Sequence, residues 1–334
     1  MATKLLNSPV VRPSFTPDMS RPFIIATRGS ALALAQSNMM KAACEKALPG
    51  RTFELKIIKT TGDKLQTASM TQLPSAGSTK GLFTKELEVA LMAGEAHLAV
   101  HSLKDLPTEL PEGLILGATP PREDVRDVLI VRADSSTNGH APLMSIESGV
   151  TIATSSSRRA AQIQALRPDL NIVPIRGNVG TRIKKLLANP DLGGTVLAAA
   201  GLNRLKFTIA PDGTLSGNDV PEGVKAYRIP IEEMLPCVGQ AAIGIEIRAN
   251  DPEMRNLCAK LNDEATFSCV TAERAFLRGM GGGCLSPVAA FAEIQGADLR
   301  IRAVALKENG LKRAELRGTS KDADSLGASI ARAI

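Results

Sequence analysis

The sequence predicts an α/β protein with two α/β units of one plan, followed by a small α+β unit at the C-terminal end. Three observations carry this reading. Phe23-Ile-Ile-Ala26 is a short apolar run that turns through Thr27-Arg-Gly-Ser30 into a long helical pattern. Val150-Thr-Ile-Ala153 repeats the arrangement through Thr154-Ser-Ser-Ser157, so that Ile25-Ala-Thr-Arg-Gly-Ser and Ile152-Ala-Thr-Ser-Ser-Ser both follow a strand and open a helix. Beyond residue 261 the order becomes helix, two apolar strands and a final helix.

Ser30 is placed to cap a helix over Ala31–Leu48. A strand, a tight glycine turn and a helix start together make an anion site, because unpaired N–H groups and the helix dipole favour negative charge. Arg28 strengthens that site. Phe53–Lys59 alternates like a strand. Thr60–Thr79 is polar, rich in Gly, Ser and Thr, and lacks a period; a loop of about 20 residues is unusual in a compact domain and reads as a lid. A helix opens in Lys80-Gly-Leu-Phe-Thr-Lys-Glu-Leu-Glu88 and runs to Ala93. His97–Ser102 reads as a buried strand, delivering Lys104-Asp105-Leu106-Pro107 at the end where open α/β sheets bind ligands. That position makes Asp105 the carboxylate best placed for acid–base or cation-stabilising work.

A second unit begins after Arg122-Glu-Asp-Val-Arg-Asp127. Strands are expected at Val150–Ala153, Asn171–Ile175 and Thr195–Ala198, with helices after Thr154–Arg159 and at Arg176–Arg182. The apolar run Pro236–Ile247 returns to the first sheet. Asp263 can cap a helix over Glu264–Arg278, which ends at Gly279-Met-Gly-Gly-Gly-Cys284-Leu-Ser-Pro287. Val288–Ile294 and Leu299–Lys307 pair as strands, and a last helix covers Asp322–Ile334.

The bulk numbers narrow the function. The chain has 334 residues, a net charge of +6 and a sequence pI near 9.1, which points to an acidic partner. Aromatics make up only 3% of residues and Trp is absent, so nucleic acid would find few stacking platforms. The five cysteines form no CxxC pair, which fits a reducing compartment without a zinc site. His97 and His101 are four apart on a strand, a poor geometry for a helical metal pair, and no metal is expected. No apolar run reaches the roughly 18 residues of a membrane span. Met1–Ser20 lacks the apolar core of a signal peptide and reads as a disordered leader or a transit peptide. A cytoplasmic location is expected, or a plastid if the leader is a transit peptide.

Two patterns point to chemistry. Cys284 stands at the tip of a glycine loop, and glycines let other atoms approach the backbone closely, so the thiol can be presented rather than packed. Arg28, Arg158, Arg159, Arg176, Arg182 and Arg204 all fall at strand–turn–helix corners. Guanidinium forks bind carboxylates bidentately, and this concentration suggests a cleft for a multiply charged anion.

These residues resemble porphobilinogen deaminases. The resemblance runs from Ile24 to the C-terminus through six blocks in order: Thr27-Arg-Gly-Ser with Leu32-Ala-Leu-Ala-Gln36; Lys80–Glu88; His101-Ser-Leu-Lys-Asp-Leu-Pro107; Thr154–Arg159 with Arg176-Gly-Asn-Val-Gly-Thr-Arg182; Val238-Gly-Gln240; and Ala272-Glu-Arg274 with Gly282-Gly-Cys284. It implies two α/β domains like type II periplasmic binding proteins and a small C-terminal α+β domain. The division is a flexible leader at 1–21, a first domain at 22–121 with 240–260, a second at 122–239 and a third at 261–334. It implies a dipyrromethane cofactor joined by a thioether to Cys284. Four porphobilinogen units are then condensed head to tail with loss of ammonia, and hydrolysis releases hydroxymethylbilane. By the same resemblance, Asp105 stabilises the azafulvenium-like cation and helps proton transfer. Lys104, Ser156, Arg158 and Arg159 hold the cofactor, while Arg28, Ser30, Arg176, Arg182 and Arg204 hold substrate carboxylates. Lys80 and Phe83 belong to the lid. The expected partners are porphobilinogen and the growing polypyrrole chain, on a monomer, with no nucleic acid, membrane or metal.

Three positions depart from the family pattern: Ala76 where the lid usually has a lysine, Ala241 where the family has Gly-Gln-Gly, and Gly281 where an acid is common. The competing reading is a non-catalytic clamshell that binds an anion. It accounts for the arginines but leaves Asp105 and the glycine-loop Cys284 as coincidences.

Overall fold

The computed structural model describes residues 21–66, 81–135, 142–218, 220–281 and 287–334. Cys284, Lys80 and Ala76 lie outside the described residues.

Two five-stranded sheets share one plan. The first contains β1 (Phe23–Thr27), β2 (Phe53–Ile57), β3 (Leu98–Ser102), β4 (Leu114–Ala118) and β12 (Ile243–Arg248), in the order β2-β1-β3-β12-β4. β1, β2 and β3 are parallel, and β12 runs antiparallel between β3 and β4. The second contains β5 (Asp127–Arg132), β6 (Thr151–Ala153), β7 (Asn171–Val173), β8 (Gly194–Ala198) and β11 (Val224–Arg228), in the order β11-β5-β8-β6-β7. Here β6, β7 and β8 are parallel, and β5 is antiparallel between β8 and β11, while β9 (Thr208–Ile209) and β10 (Leu215–Ser216) form a separate antiparallel pair. Taken from β2 in the first sheet and from β7 in the second, each sheet runs 2-1-3 in parallel, then an antiparallel strand, then an edge strand. This is the type II periplasmic-binding-protein plan implied by the resemblance.

Helices cover the sheets because each has one apolar stripe to bury. α1 (Ala31–Ala47) starts where Ser30 accepts from Ala33 N, and it packs Met40 and Cys44 against the first sheet together with Met254 and Leu257 of α7 (Pro252–Leu261). α3 (Lys85–Met92) covers the other face with Leu87, Ala90 and Leu91. α4 (Ser157–Leu166) and α5 (Val179–Ala188) begin at side-chain caps from Ser156 and Asn178. The short α6 (Ala199–Arg204) packs against α1, bringing the two sheets together. The third unit is an antiparallel meander of β13 (Val288–Gln295), β14 (Asp298–Lys307) and β15 (Gly310–Thr319), backed by α8 (Glu264–Gly279) and α9 (Ala323–Ala333).

The structure corrects the reading of Thr60–Thr79 as irregular, because Thr61–Gln66 forms a short helix, α2. Its Asp63 is tied to the Thr60 hydroxyl (2.7 Å) and to Arg28, a stabilisation absent from the local pattern. The helix expected from Lys80 starts at Lys85, after a turn. The strands β4, β5, β11 and β15 and the helix α7 are additional to the sequence reading.

Two of the departures fall at left-handed backbone positions. Gly281 sits at φ 63, just past the C-cap of α8, where the left-handed conformation favours glycine over any side chain. Ala241 occupies the same region at φ 71 without that freedom. Lys206, at φ 64 just beyond α6, is exposed and buries no side chain. Lys206→Gly is therefore expected to stabilise the fold by about 1 kcal/mol, read as a rise in melting temperature.

Candidate active site

The first corner of the site is the end of β3. Four of its five residues are buried, so the strand is a fixed platform. The chain leaves it through a 3₁₀ turn, Leu103–Asp105, closed by Leu106 N donating to Leu103 O at 3.1 Å. Leu103 N in turn donates to Ala242 O at 3.0 Å. Gly239 (φ 67) lies against the same turn: a Cβ there would come within 3.3 Å of Lys104 N, so the crossing segment needs glycine at this point. Asp105 lines a cavity with Arg28, Ser30, Gln36, Phe83 and His101. Gln36 and Ser102 are hydrogen-bonded at 3.0 Å across its floor.

Arg28 enters this cavity from the β1–α1 corner. Its Nη2 is 2.5 Å from Asp63 Oδ1, its Nε 3.2 Å from the same atom, and its guanidinium lies 4.1 Å from the Phe83 ring centroid. Burial would raise the Asp63 carboxyl, but hydrogen bonds from Arg28 and Thr60 hold it below its ordinary range. Asp63 is thus an internal carboxylate on an arginine assigned to substrate carboxylates. The sequence reading passed over it because its partner is 35 residues away.

The second corner is the start of α4. Ser156 accepts from Arg159 N, and Arg158 and Arg159 point inwards, 4% and 6% exposed. Both meet Asp127 at the start of β5: Arg158 Nη2 at 2.8 Å from Oδ2, and Arg159 Nη2 at 2.7 Å from Oδ1. Gln240 Nε2 donates to Oδ1 at 3.0 Å. Burial alone would raise the Asp127 carboxyl, yet the two guanidinium charges and their hydrogen bonds bring it down to about 2. Nothing in the sequence marked this residue.

Arg182, four residues into α5, donates to Gly177 O at 2.8 Å; burial, and then the charge of Arg159, push it down to about 10. Arg159 and Arg182 are therefore electrostatic neighbours. Arg176 is exposed between β7 and α5. Arg204, 8% exposed, donates to Ala241 O at 2.6 Å, and burial lowers its pKa. The crossing segment at 237–242 thus touches the Asp105 turn, Asp127 and Arg204 together.

The donor set suits a ligand rich in carboxylates. The Nε atoms of Arg158 and Arg204 are buried without a hydrogen-bond partner among the described residues, so contacts within them do not exhaust these guanidinium groups. An acetate- and propionate-bearing dipyrromethane fits that chemistry.

Fold and site together define a two-lobed α/β protein whose cavity and buried arginines suit an organic polyanion. Comparison with known proteins makes this specific. Residues 23–256 match the family model described as "Porphobilinogen deaminase, dipyromethane cofactor binding domain", and residues 267–334 match "Porphobilinogen deaminase, C-terminal domain". The chain belongs to the porphobilinogen deaminase family. It is 44% identical to the porphobilinogen deaminase of Syntrophus aciditrophicus over 92% of this chain and 93% of that one. It is 40% identical to that of Syntrophomonas wolfei (93% and 94% covered) and 41% identical to that of Roseiflexus sp. (94% and 95%). Its activity is that of a hydroxymethylbilane synthase in tetrapyrrole biosynthesis, working on a dipyrromethane cofactor.

Proposed function

We propose that Asp105 is the catalytic carboxylate, and that the chain divides its site between the two sheets and the third unit as 22–121 with 240–260, 122–239 and 261–334. The observation that carries this is the shared cavity, where the Asp105 turn meets Arg28, Ser30 and Phe83. Porphobilinogen enters with its acetate and propionate facing guanidinium groups. Arg28, Arg176, Arg182 and Arg204 take substrate carboxylates, with Ser30 beside Arg28 at the helix start. Substrate must displace Asp63 from Arg28, exchanging one carboxylate for another. Loss of ammonia leaves a pyrrole-methylene cation, and a carboxylate in a half-buried cleft stabilises it more than water would. Asp105 then accepts the proton released at the pyrrole carbon, with Lys104 beside it in the turn.

Cys284 is the attachment point of the dipyrromethane, and Lys104, Ser156, Arg158 and Arg159 hold its acid side chains. When bound, the cofactor supplies the nucleophilic pyrrole carbon at which the chain grows. Phe83 takes the lid role given to it and Lys80, and it stacks on Arg28. The remaining features of this reading are a monomer in the cytoplasm that takes porphobilinogen and the growing polypyrrole as its ligands.

The test is the intact mass of the denatured protein. A covalent increment of two linked pyrrole units is expected in the wild type and absent in Cys284→Ser. An unmodified wild-type mass after incubation with porphobilinogen would overturn the attachment and return the chain to the anion-binding clamshell.

A further inference from the structure

The most deeply buried acid of the first sheet lies outside the site described so far. Glu246, on β12, is fully buried. Its Oε2 is 2.9 Å from His101 Nε2, and its Oε1 is buried with no hydrogen-bond partner among the described residues. A half-satisfied buried carboxylate is a poor device for stability, since an apolar pair of the same volume would serve better. Its surroundings suggest another task.

His101 is the fourth residue of β3, whose continuation is the turn that carries Lys104 and Asp105. On the other side of that turn stands Arg274 of α8, 7% exposed. It donates to Leu106 O at 3.1 Å and to Pro107 O at 2.6 Å. Burial, and then the charge of Arg278, push Arg274 down to about 10, while Glu246 acts in the opposite sense. Glu88 approaches from α3; burial raises its carboxyl and the Glu246 charge adds to the rise, against the pull of Thr84 and His101. The buried carboxylate thus meets the strand residue that leads into the turn, while Arg274 holds the carbonyls just after it.

We propose that Glu246 and His101 are positioning residues for the Lys104–Asp105 turn. Glu246 supplies the buried negative charge that holds His101 at the end of β3, and with Arg274 gripping the far end of the turn this fixes where the Asp105 carboxylate stands in the cavity. The proposal rests on the reading of Asp105 as the catalytic carboxylate. Neither residue needs to touch substrate.

Glu246→Gln keeps the shape and a hydrogen bond to His101 while removing the charge. It is measured on the cofactor-loaded enzyme, well below its melting temperature. The expected result is a fall in kcat of about tenfold or more, on the scale of a small misplacement of a catalytic group, with KM for porphobilinogen little changed. His101→Gln should show the same split and serves alone if Glu246→Gln does not fold. The double variant should be no slower than the slower single variant, because both act through one contact. The His101 ring resonances, separable because the chain has only three histidines, should move in Glu246→Gln. A folded Glu246→Gln with unchanged kcat, or losses that multiply in the double variant, would overturn the proposal. Asp105→Asn is measured in parallel. If it turns over normally, the reading of Asp105 falls; if it is inactive while Glu246→Gln behaves as wild type, only this inference falls.

Discussion

Asp105→Asn is expected to lower kcat by roughly 10²–10⁴-fold while leaving fold and melting temperature unchanged. The side chain is half-buried at the end of a 3₁₀ turn, and the hydrogen bonds that shape that turn come from the backbone of Leu103, Leu106 and Ala242 and from Arg274. Asparagine preserves the shape and removes the charge. It can neither stabilise a cation as a carboxylate does nor accept its proton. Steady-state turnover with cofactor loading checked by mass separates this from failure to load. Turnover within a few-fold of wild type would remove Asp105 from its assigned role.

Asp127→Asn should do the reverse and damage the fold. The carboxylate is fully buried between Arg158 and Arg159, so the substitution strands two buried guanidinium groups without a counter-charge. Breaking such a pair from one side costs about 3–5 kcal/mol. The same carboxylate gives the wild type a characteristic acid response. Its folded pKa, about 2, lies below its ordinary value near 3.8, so its contribution is complete above the ordinary value and disappears as pH falls towards 2. Denaturant melts across that window should show a slope in the wild type that flattens in Asp127→Asn. Equal slopes would mean that other carboxylates govern the acid limb.

The contrast between these aspartates shows what could be read from the sequence. Asp105 was legible because a buried strand, a polar pair and a proline follow one another locally and place the residue at the end of a sheet. Ser30 and Asp263 were legible as caps for the same reason, each needing a backbone donor only three residues ahead. Asp127 was not, because it sits in a charged hexapeptide that looks like a surface boundary, and its partners lie 32 and 113 residues away. β15 was missed because Lys312, Arg313, Glu315 and Arg317 mask an alternation that appears only against β14. α2 was missed because its first turn is held by Arg28 from another corner. Local chemistry was visible; charge pairs closed by the fold were not.

Glu273 shows what such a pair does for the whole molecule. It is fully buried on α8 and accepts from Arg122 at 2.7 and 2.9 Å, from Gly239 N at 2.7 Å and from Ala292 N at 2.9 Å. Those donors come from the segment entering the second sheet, the segment returning to the first, and the meander. None of the three parts can loosen without exposing an unpaired carboxylate or guanidinium in the others. Melting is thereby coupled across lobes that are otherwise separate cores, and the joint that aligns the cleft is also the joint that makes the chain unfold as one body.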